Sequence, residues 1–468
     1  MKLNKMQVLS DSEIAMIRES SAGILEETGV KIHSSEILEL LKKKGAVIDA
    51  ASGTARFPGK LQEQCLSTVP GKITVRGREG NPVLELGGEQ IYFASGHNAV
   101  FMEKPLTNIY RELTRQDVSD FAHLAEQLDD IDMLGLPGAV SDAASGDPLL
   151  NTLAISMAKS VKPVFFSTDS AEVNRAAMNM TEIITGKTSP EHYYMISQFS
   201  PTSPLQWEDG AVRGTAECAE RGFPVAILPE PITGVSAPYA LAGLITIHNA
   251  EALSGIIITQ LINPGTPVIW ASSWTAFDMK EGTALVGSAE TSLARIAGAQ
   301  LARSYGIPVH TTAPNSDNHV HDEQNAWEKT VSALTAAAAG NQLIVNCGMY
   351  ACGMTVSLEQ LVMDAEIAGQ VKRICRGIEV SETAVAADLI KEKGQSSDYI
   401  TDDHTLNLLH SGEHRSPLVA QRGGRQSWIN RGAPDSVREA RGIADALLAK
   451  KGPELSGTLR QRIEDAVI

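Results

Sequence analysis

Residues 310–328 read HTTAPNSDNHVHDEQNAWE and follow directly on the strand-like GIPV. Three histidines, two aspartates and two glutamates fall within these nineteen residues. Imidazole and carboxylate groups are zinc ligands. His319 and His321 stand two apart, with His310, Asp317 and Asp322 nearby, so a metal-dependent lyase or hydrolase built on His310, His319, His321 and Asp322 is one reading. Against it, the stretch has no cysteine, and the i,i+4 histidine pair of a helical zinc site is missing. Asp322 also stands where the N-cap of the helix EQNAWEKTVSALTAAAAG belongs. A polar loop lining or gating a pocket for an organic substrate is the second reading, and the one favoured here. A plain solvated loop is the third.

The aromatic residues add to the pocket reading. They make up 5% of the chain, yet Tyr193, Tyr194, Phe199, Trp270, Trp274, Phe277 and Tyr350 all fall in or just beyond predicted strands. Aromatic faces hold quaternary ammonium groups. The alternative is that they only seal the interior. Trp274 lies beyond its strand and is the expected cage residue, with Phe199, Tyr194 and Tyr350 as companions; Trp270, in mid-strand, reads as core. A substrate that also carries a carboxylate would meet helix N-termini, and His97 in ASGHNAVF is a candidate donor.

The elements that must position these groups follow from the hydropathy pattern. From Thr114 onward, short apolar runs alternate with long helical stretches. The runs are DMLGLPGAV, VKPVFFST, YYMISQFS, FPVAILPEP, TPVIWASS, IPVHTTA and QLIVNCGM. Strands that are continuously apolar, rather than alternating, are buried on both faces and hence parallel. Units of this kind in series, without a glycine-rich phosphate loop, predict a closed TIM (β/α)8 barrel rather than an open nucleotide-binding sheet. The eighth strand is expected from QIYFASG or from the RGIEVS region. Residues 1–110 read as an α+β N-terminal cap, in which Ser10 and Glu13 have capping-box spacing. Residues 111–378 form the barrel core, opened by a helix with Thr114 as N-cap and Asp117 three positions on. Residues 379–468 form a helical C-terminal extension ending in two helices around a Gly-Pro turn. In such a barrel the chemistry sits at the C-terminal ends of the strands. There the sequence offers Gln198, Phe199 and Ser200; Glu230; Ser272, Ser273 and Trp274; Thr311 and Thr312; Asn346 and Tyr350.

The bulk properties exclude several classes. A formal charge of −16 opposes binding to nucleic acid or anionic membranes. MKLNKMQVLSDSEIAMI lacks the apolar core of a signal peptide, and LSGIIITQLI is too short to span a bilayer. Five scattered cysteines without a CxxC fit a reduced, cytoplasmic protein with free thiols.

Several motifs together resemble the trimethylamine methyltransferase family of corrinoid-dependent methyltransferases. They are RELTRQDVSDFAHLAEQLDDID, SPTSPLQW, PITGVSAPYALAGLITIHNAEALSG, QLINPGTPVIWASS, AQLARSYGIPV, VSLEQLVMDAEI and HTLNLLHSGEHRSPL, in order along nearly the whole chain. The resemblance implies methyl transfer from an amine to cob(I)alamin carried by a separate corrinoid protein, with no tightly bound metal in the chain itself. Trimethylamine enzymes of the family carry pyrrolysine at a position that falls at or next to Ser316. Here PNSDNH holds only standard residues, and His319 stands where the family often has lysine. Members without pyrrolysine resemble demethylases of quaternary amines, with glycine betaine the foremost expectation. A quaternary nitrogen leaves as a neutral tertiary amine and needs no general acid, so orientation and desolvation would supply the rate. A grip on the cation that tightened before the transition state would work against it. The expected catalytic contributors are Asp317, Asn315 and Ser316. Substrate contacts are expected from Trp274, Phe199, Tyr194, Tyr350, His97, Glu230, Thr312 and His319. A homo-oligomer and a corrinoid protein partner are expected as well. The remaining alternative is a non-catalytic barrel that binds betaine.

Overall fold

The continuously apolar runs do become parallel strands. The computed structural model describes residues 5–107, 109–188, 192–395 and 398–467. Its main sheet holds β1 (Tyr92–Ser95), β2 (Leu134–Gly135), β3 (Val164–Ser167), β4 (Met195–Phe199), β5 (Val225–Ile227), β6 (Val268–Ser272), β7 (Val309–Thr312) and β8 (Leu343–Cys347). Each strand pairs with its neighbours in sequence, and β8 pairs in parallel with β1. A parallel bridge from Ala94 to Met133 joins β1 to the chain just before β2 and closes the ring. Each of the seven predicted runs contains one strand. The eighth comes from QIYFASG, so that N-terminal stretch serves the barrel wall; RGIEVS supplies no strand.

Eight helices follow the eight strands: α1 (Arg115–Gln127), α2 (Pro148–Lys159), α3 (Ala171–Thr185), α4 (Asp209–Arg221), α5 (Leu241–Ile262), α6 (Ala289–Tyr305), α7 (Glu323–Ala338) and α8 (Leu358–Arg376). Their starts are legible chemistry. Thr114 accepts the Asp117 N–H while Asp117 reaches back, a complete capping box. Asp322 accepts N–H groups from Gln324 and Asn325 at the head of α7.

Period-two geometry sorts the strand side chains into two shells. Phe165, Ile196, Ala226, Leu228, Ile269, Ala271, Leu343 and Val345 point into the lumen and form one cluster. Met195, Phe199, Val225, Ile227, Val268, Trp270 and Val309 point outward, against the helices. The N-terminal ends of the strands are plugged by an antiparallel hairpin, Ile73–Arg76 with Pro82–Leu86, whose Ile73, Val75, Leu84 and Leu86 join the lumen cluster.

The N-terminal region also explains why α5 is apolar on every face. Among the described residues, α5 is the one helix long and apolar enough to cross a membrane by length and composition, yet it is mostly buried. Helices Asp11–Gly23 and Gly59–Thr68 lie over it on one side, and α4 and α6 flank it. The capping box of Ser10 and Glu13 opens the first of these helices, as its spacing predicted. In the C-terminal region, Ser436–Leu448 packs on α8 and α1, and Gly457–Glu464 packs on α2 and α3, with Gly452 and Pro453 between them.

One buried acid in α5 braces the mouth of the barrel. Glu251 accepts the Ser203 hydroxyl at 2.7 Å and the Leu205 N–H at 2.8 Å, holding the loop after β4. That loop's Gln206–Trp207 strand pairs with Val30–Ile32 of the N-terminal region. Burial pushes the Glu251 carboxyl from 4.5 up to about 7. A carboxyl raised by folding favours the native state only while protonated. Its contribution is therefore complete below the unfolded pKa and is lost as pH rises through the folded one. The stability of Glu251→Gln relative to the parent is expected to rise between pH 5 and 8, by up to about 3 kcal/mol. Chemical denaturation at both ends of that range checks it; a pH-independent difference would count against the assignment.

Candidate active site

Two residues beyond the last lumen-facing core residue, several strands present a polar side chain in the same inward register. Phe165 is followed by Ser167, Ile196 by Gln198, Leu228 by Glu230, Ala271 by Ser273 and His310 by Thr312. These five, with His97, Asn98, Asp169, Asn315, Asn346 and Cys352, line a cavity of about 680 Å³ at the C-terminal end of the barrel. The loop after β4 contributes Ser200, Thr202, Ser203 and Glu208.

Asn346 reaches the cavity by breaking the alternation. In strict register it would face the helices, as Ile344 does. A bulge between Val345 and Cys347 and a φ of 143° turn it inward instead. A non-glycine residue in that region is strained, and such strain gathers at functional sites. Its Nδ2 donates to Asn315 Oδ1 at 2.9 Å, and Asn315 Nδ2 donates to the Thr312 carbonyl at 3.3 Å. The carbonyl can only accept, so the direction of the chain is fixed and Asn346 Oδ1 is left as an acceptor without a partner.

The floor of the cavity is uncharged and buried. Burial lowers the His97 imidazole to about 4 and the His310 imidazole to about 3, and the rings pack edge-on to Phe165 at 5.3 and 4.9 Å. Glu230 opens onto the cavity, but the walls crowd around it and desolvation raises its carboxyl; the Ser273 hydroxyl lowers it in part, and Asp169 raises it further. No lysine, arginine, phenylalanine, tyrosine or tryptophan is among the described lining residues.

Of the residues expected at the site, the structure brings together His97, Glu230, Thr312 and Asn315. It corrects the aromatic cage. Trp274 continues the outward register of Trp270, is 2% exposed, and packs 4.1 Å from the His248 ring and against Gly298 of α6. Phe199 also faces outward, its ring filling the space over Gly214 of α4. Tyr194 precedes β4 and is buried in the outer shell near the other end of the barrel. Tyr350 is buried at the rim, where its hydroxyl donates to Glu103 and its ring meets His321 at 4.6 Å. Strand alternation sends Phe199 and Trp274 away from the cavity, whereas Tyr194 lies toward the other end of the barrel and Tyr350 stands beyond the barrel strands at the rim.

The opening stretch is likewise divided. Ser316 turns from the cavity and donates to Glu328 at 2.7 Å. His319 is exposed on the loop surface. Asp317 accepts the N–H groups of Val286 (2.7 Å) and Gly287 (3.1 Å), tying the loop before α6 to the loop after β7. Burial raises its carboxyl, and those two N–H groups oppose the rise. Arg295 stands behind the same wall, donating to the carbonyls of Thr312 (2.8 Å) and Val286 (2.9 Å). His310 is inside the barrel, His321 bonds Ser357 and Asp322 caps α7, so the set proposed for a metal-dependent lyase or hydrolase does not converge. Among the described residues no three histidine, cysteine, aspartate or glutamate side chains are grouped to hold a metal.

Asp317→Ala is accordingly expected to leave two N–H groups unpaired and to cost about 1–3 kcal/mol of stability, with weaker ligand binding as Val286 drifts from the cavity wall. An unchanged melting temperature would instead return Asp317 to direct contact with substrate.

The sequence profile of the trimethylamine methyltransferase family (MTTB) matches residues 1–468. The trimethylamine methyltransferase MttB of Desulfitobacterium hafniense (strain DSM 10664 / DCB-2) is 31% identical over 463 residues, 97% of this chain and 93% of the relative. The MttB of Methanosarcina barkeri (strain Fusaro / DSM 804) is 30% identical, over 92% of this chain and 88% of its own. A glycine betaine methyltransferase of Desulfitobacterium hafniense (strain Y51) is 29% identical, over 91% and 89%. The crystal structure of the Methanosarcina barkeri monomethylamine methyltransferase (MtmB) superposes with a TM-score of 0.53 at 13% identity, covering 97% of this chain and 92% of that one, which shows the shared fold.

Proposed function

Because the chain belongs to the trimethylamine methyltransferase family, we propose that it moves a methyl group from a quaternary ammonium compound, glycine betaine or a close analogue, to cob(I)alamin carried by a corrinoid protein. The observation that carries this reading is the set of carboxylates, Glu230, Asp169 and Glu208, in a cavity whose described lining residues include no lysine or arginine. They neutralise a cation that has no proton to lose.

The lining also supports an acceptor from outside the chain. Cys352 is the one thiol at the cavity, and burial beside Asp317 pushes it up to about 12, so at neutral pH it is not a thiolate. Cob(I)alamin on the partner supplies the nucleophile when it is bound. The chain's own residues orient the amine. Glu230 and Asp169 set the cationic end, the Asn346–Asn315 pair sets the wall beneath the opening loop, and the apolar lumen below keeps water from the floor. Nothing in this arrangement must donate a proton, because a quaternary nitrogen departs as a neutral amine.

The test is anaerobic incubation with cob(I)alamin and a panel of quaternary amines, followed by the loss of cob(I)alamin absorbance. Methylation from at least one quaternary amine, well above the rate from trimethylamine, is expected. Trimethylamine serving as well as or better than every quaternary compound would overturn the reading. Binding without any methylation would favour a non-catalytic barrel.

A further inference from the structure

The cavity's charges and its unpartnered atoms describe more of the ligand than its ammonium group. Asp169, Glu208 and Glu230 line it, and no lysine or arginine is among its described lining residues. The His97 imidazole at the cavity is neutral at physiological pH. Arg295 is buried behind the wall and does not line the cavity; its Nε and Nη2 donate to the carbonyls of Thr312 and Val286, and its Nη1 has no hydrogen bond. A carboxylate brought into this space would meet like charge without a charged partner, at a cost that low dielectric enlarges.

Two further amide groups keep one terminal atom without a hydrogen bond. Gln198 is 3% exposed; its amide shares one hydrogen bond with the Ser167 hydroxyl at 2.9 Å, and its other terminal atom is free to pair with a ligand hydroxyl, which both donates and accepts. Asn346 is 8% exposed; its Oδ1 makes no hydrogen bond of good geometry, and the group set against it is the His97 ring, whose Nδ1 is likewise without one. Buried polar atoms without partners are costly, and a ligand hydroxyl that pairs with them removes the cost.

We propose that the cavity selects a methylated ammonium of net positive charge whose remaining arm ends in a hydrogen-bond donor such as a hydroxyl, and discriminates against the zwitterion whose arm ends in a carboxylate. The proposal rests on methyl transfer from a quaternary amine, as proposed above, and replaces glycine betaine with a cationic, hydroxyl-bearing amine as the preferred substrate. Glu230 is the residue that sets the charge preference, and Gln198 and Asn346 read the donor.

Four probes separate the two features. Choline has the charge and the hydroxyl, tetramethylammonium the charge alone, carnitine the hydroxyl with a carboxylate, and glycine betaine the carboxylate alone. Calorimetric binding to the full chain is expected to be tightest for choline, with glycine betaine at least tenfold weaker. Glu230→Gln should bring choline and glycine betaine to within threefold of each other, and circular dichroism on the same sample shows whether that variant is folded. Glycine betaine or carnitine binding as tightly as choline to the parent chain overturns the proposal, whatever the variant does. Methyl transfer to cob(I)alamin, measured alongside, keeps the two readings apart. Choline-selective binding without methyl transfer would leave the charge assignment standing and remove the function. Methyl transfer from glycine betaine with no preference for choline would do the reverse.

Discussion

Alanine in place of Trp274 is expected to destabilise the fold by about 3–5 kcal/mol, the range for removing a large aromatic from a packed core. The indole fills the space between the end of β6 and α6, where a Cβ on Gly298 would stand 2.6 Å from it, and it shares a cluster with Trp270 and His248. No neighbour can collapse into the void without moving α6. Ligand affinity per folded molecule should change less than threefold, because the ring faces away from the cavity. Denaturant titration and calorimetry on one preparation decide between this and a cage role. A stable variant with tenfold weaker binding would restore Trp274 to the substrate.

Asp364→Ala is expected to cost a similar amount by a different mechanism. Lys329 and Asp364 form an ion pair at 2.7 Å with both side chains fully buried. The ammonium also donates to the Pro314 carbonyl, and the carboxylate accepts the Gly348 N–H and the Gln360 amide. Pro314 precedes Asn315 and Gly348 precedes Met349, so the pair clamps the two loops that follow β7 and β8 at the cavity. Removing one charge strands the other, which costs about 3–5 kcal/mol. Lys329→Met combined with Asp364→Leu should recover only part of that loss, since it removes the stranded charge but leaves the Pro314 carbonyl, the Gly348 N–H and the Gln360 amide without these partners. A single variant within 1 kcal/mol of the parent would show that water enters the site and solvates the lysine.

What the sequence disclosed and what it withheld divide along one physical line. Signals written in adjacent residues were legible: the apolar runs of the strands, the caps at Ser10, Thr114 and Asp322, and the Gly-Pro break before the last helix. Strand ends therefore led to Glu230, Thr312 and Asn315, and they offered Gln198, Ser273 and Asn346 without ranking them. The orientation of each strand was not legible. A strand buried on both faces shows no polar face, so nothing in MISQF says whether Gln198 or Phe199 looks inward. The clue lay far away, in Gly214 and Gly298, the glycines that make room for Phe199 and Trp274. Ser167 and Asp169 were missed for the same reason, since only the register of Phe165 points to them.

The bulge at Asn346 carries a consequence for anyone seeking a sturdier version of this chain. Its φ of 143° is a conformation that glycine adopts freely and asparagine does not. Replacing Asn346 with glycine relaxes the backbone but deletes the amide that donates to Asn315 and the acceptor that faces the cavity. Selection for heat resistance alone is drawn to that exchange, and, with Asn346 in the ligand-binding role proposed above, selection for turnover opposes it. Position 346 is where robustness and activity make opposite demands on one residue.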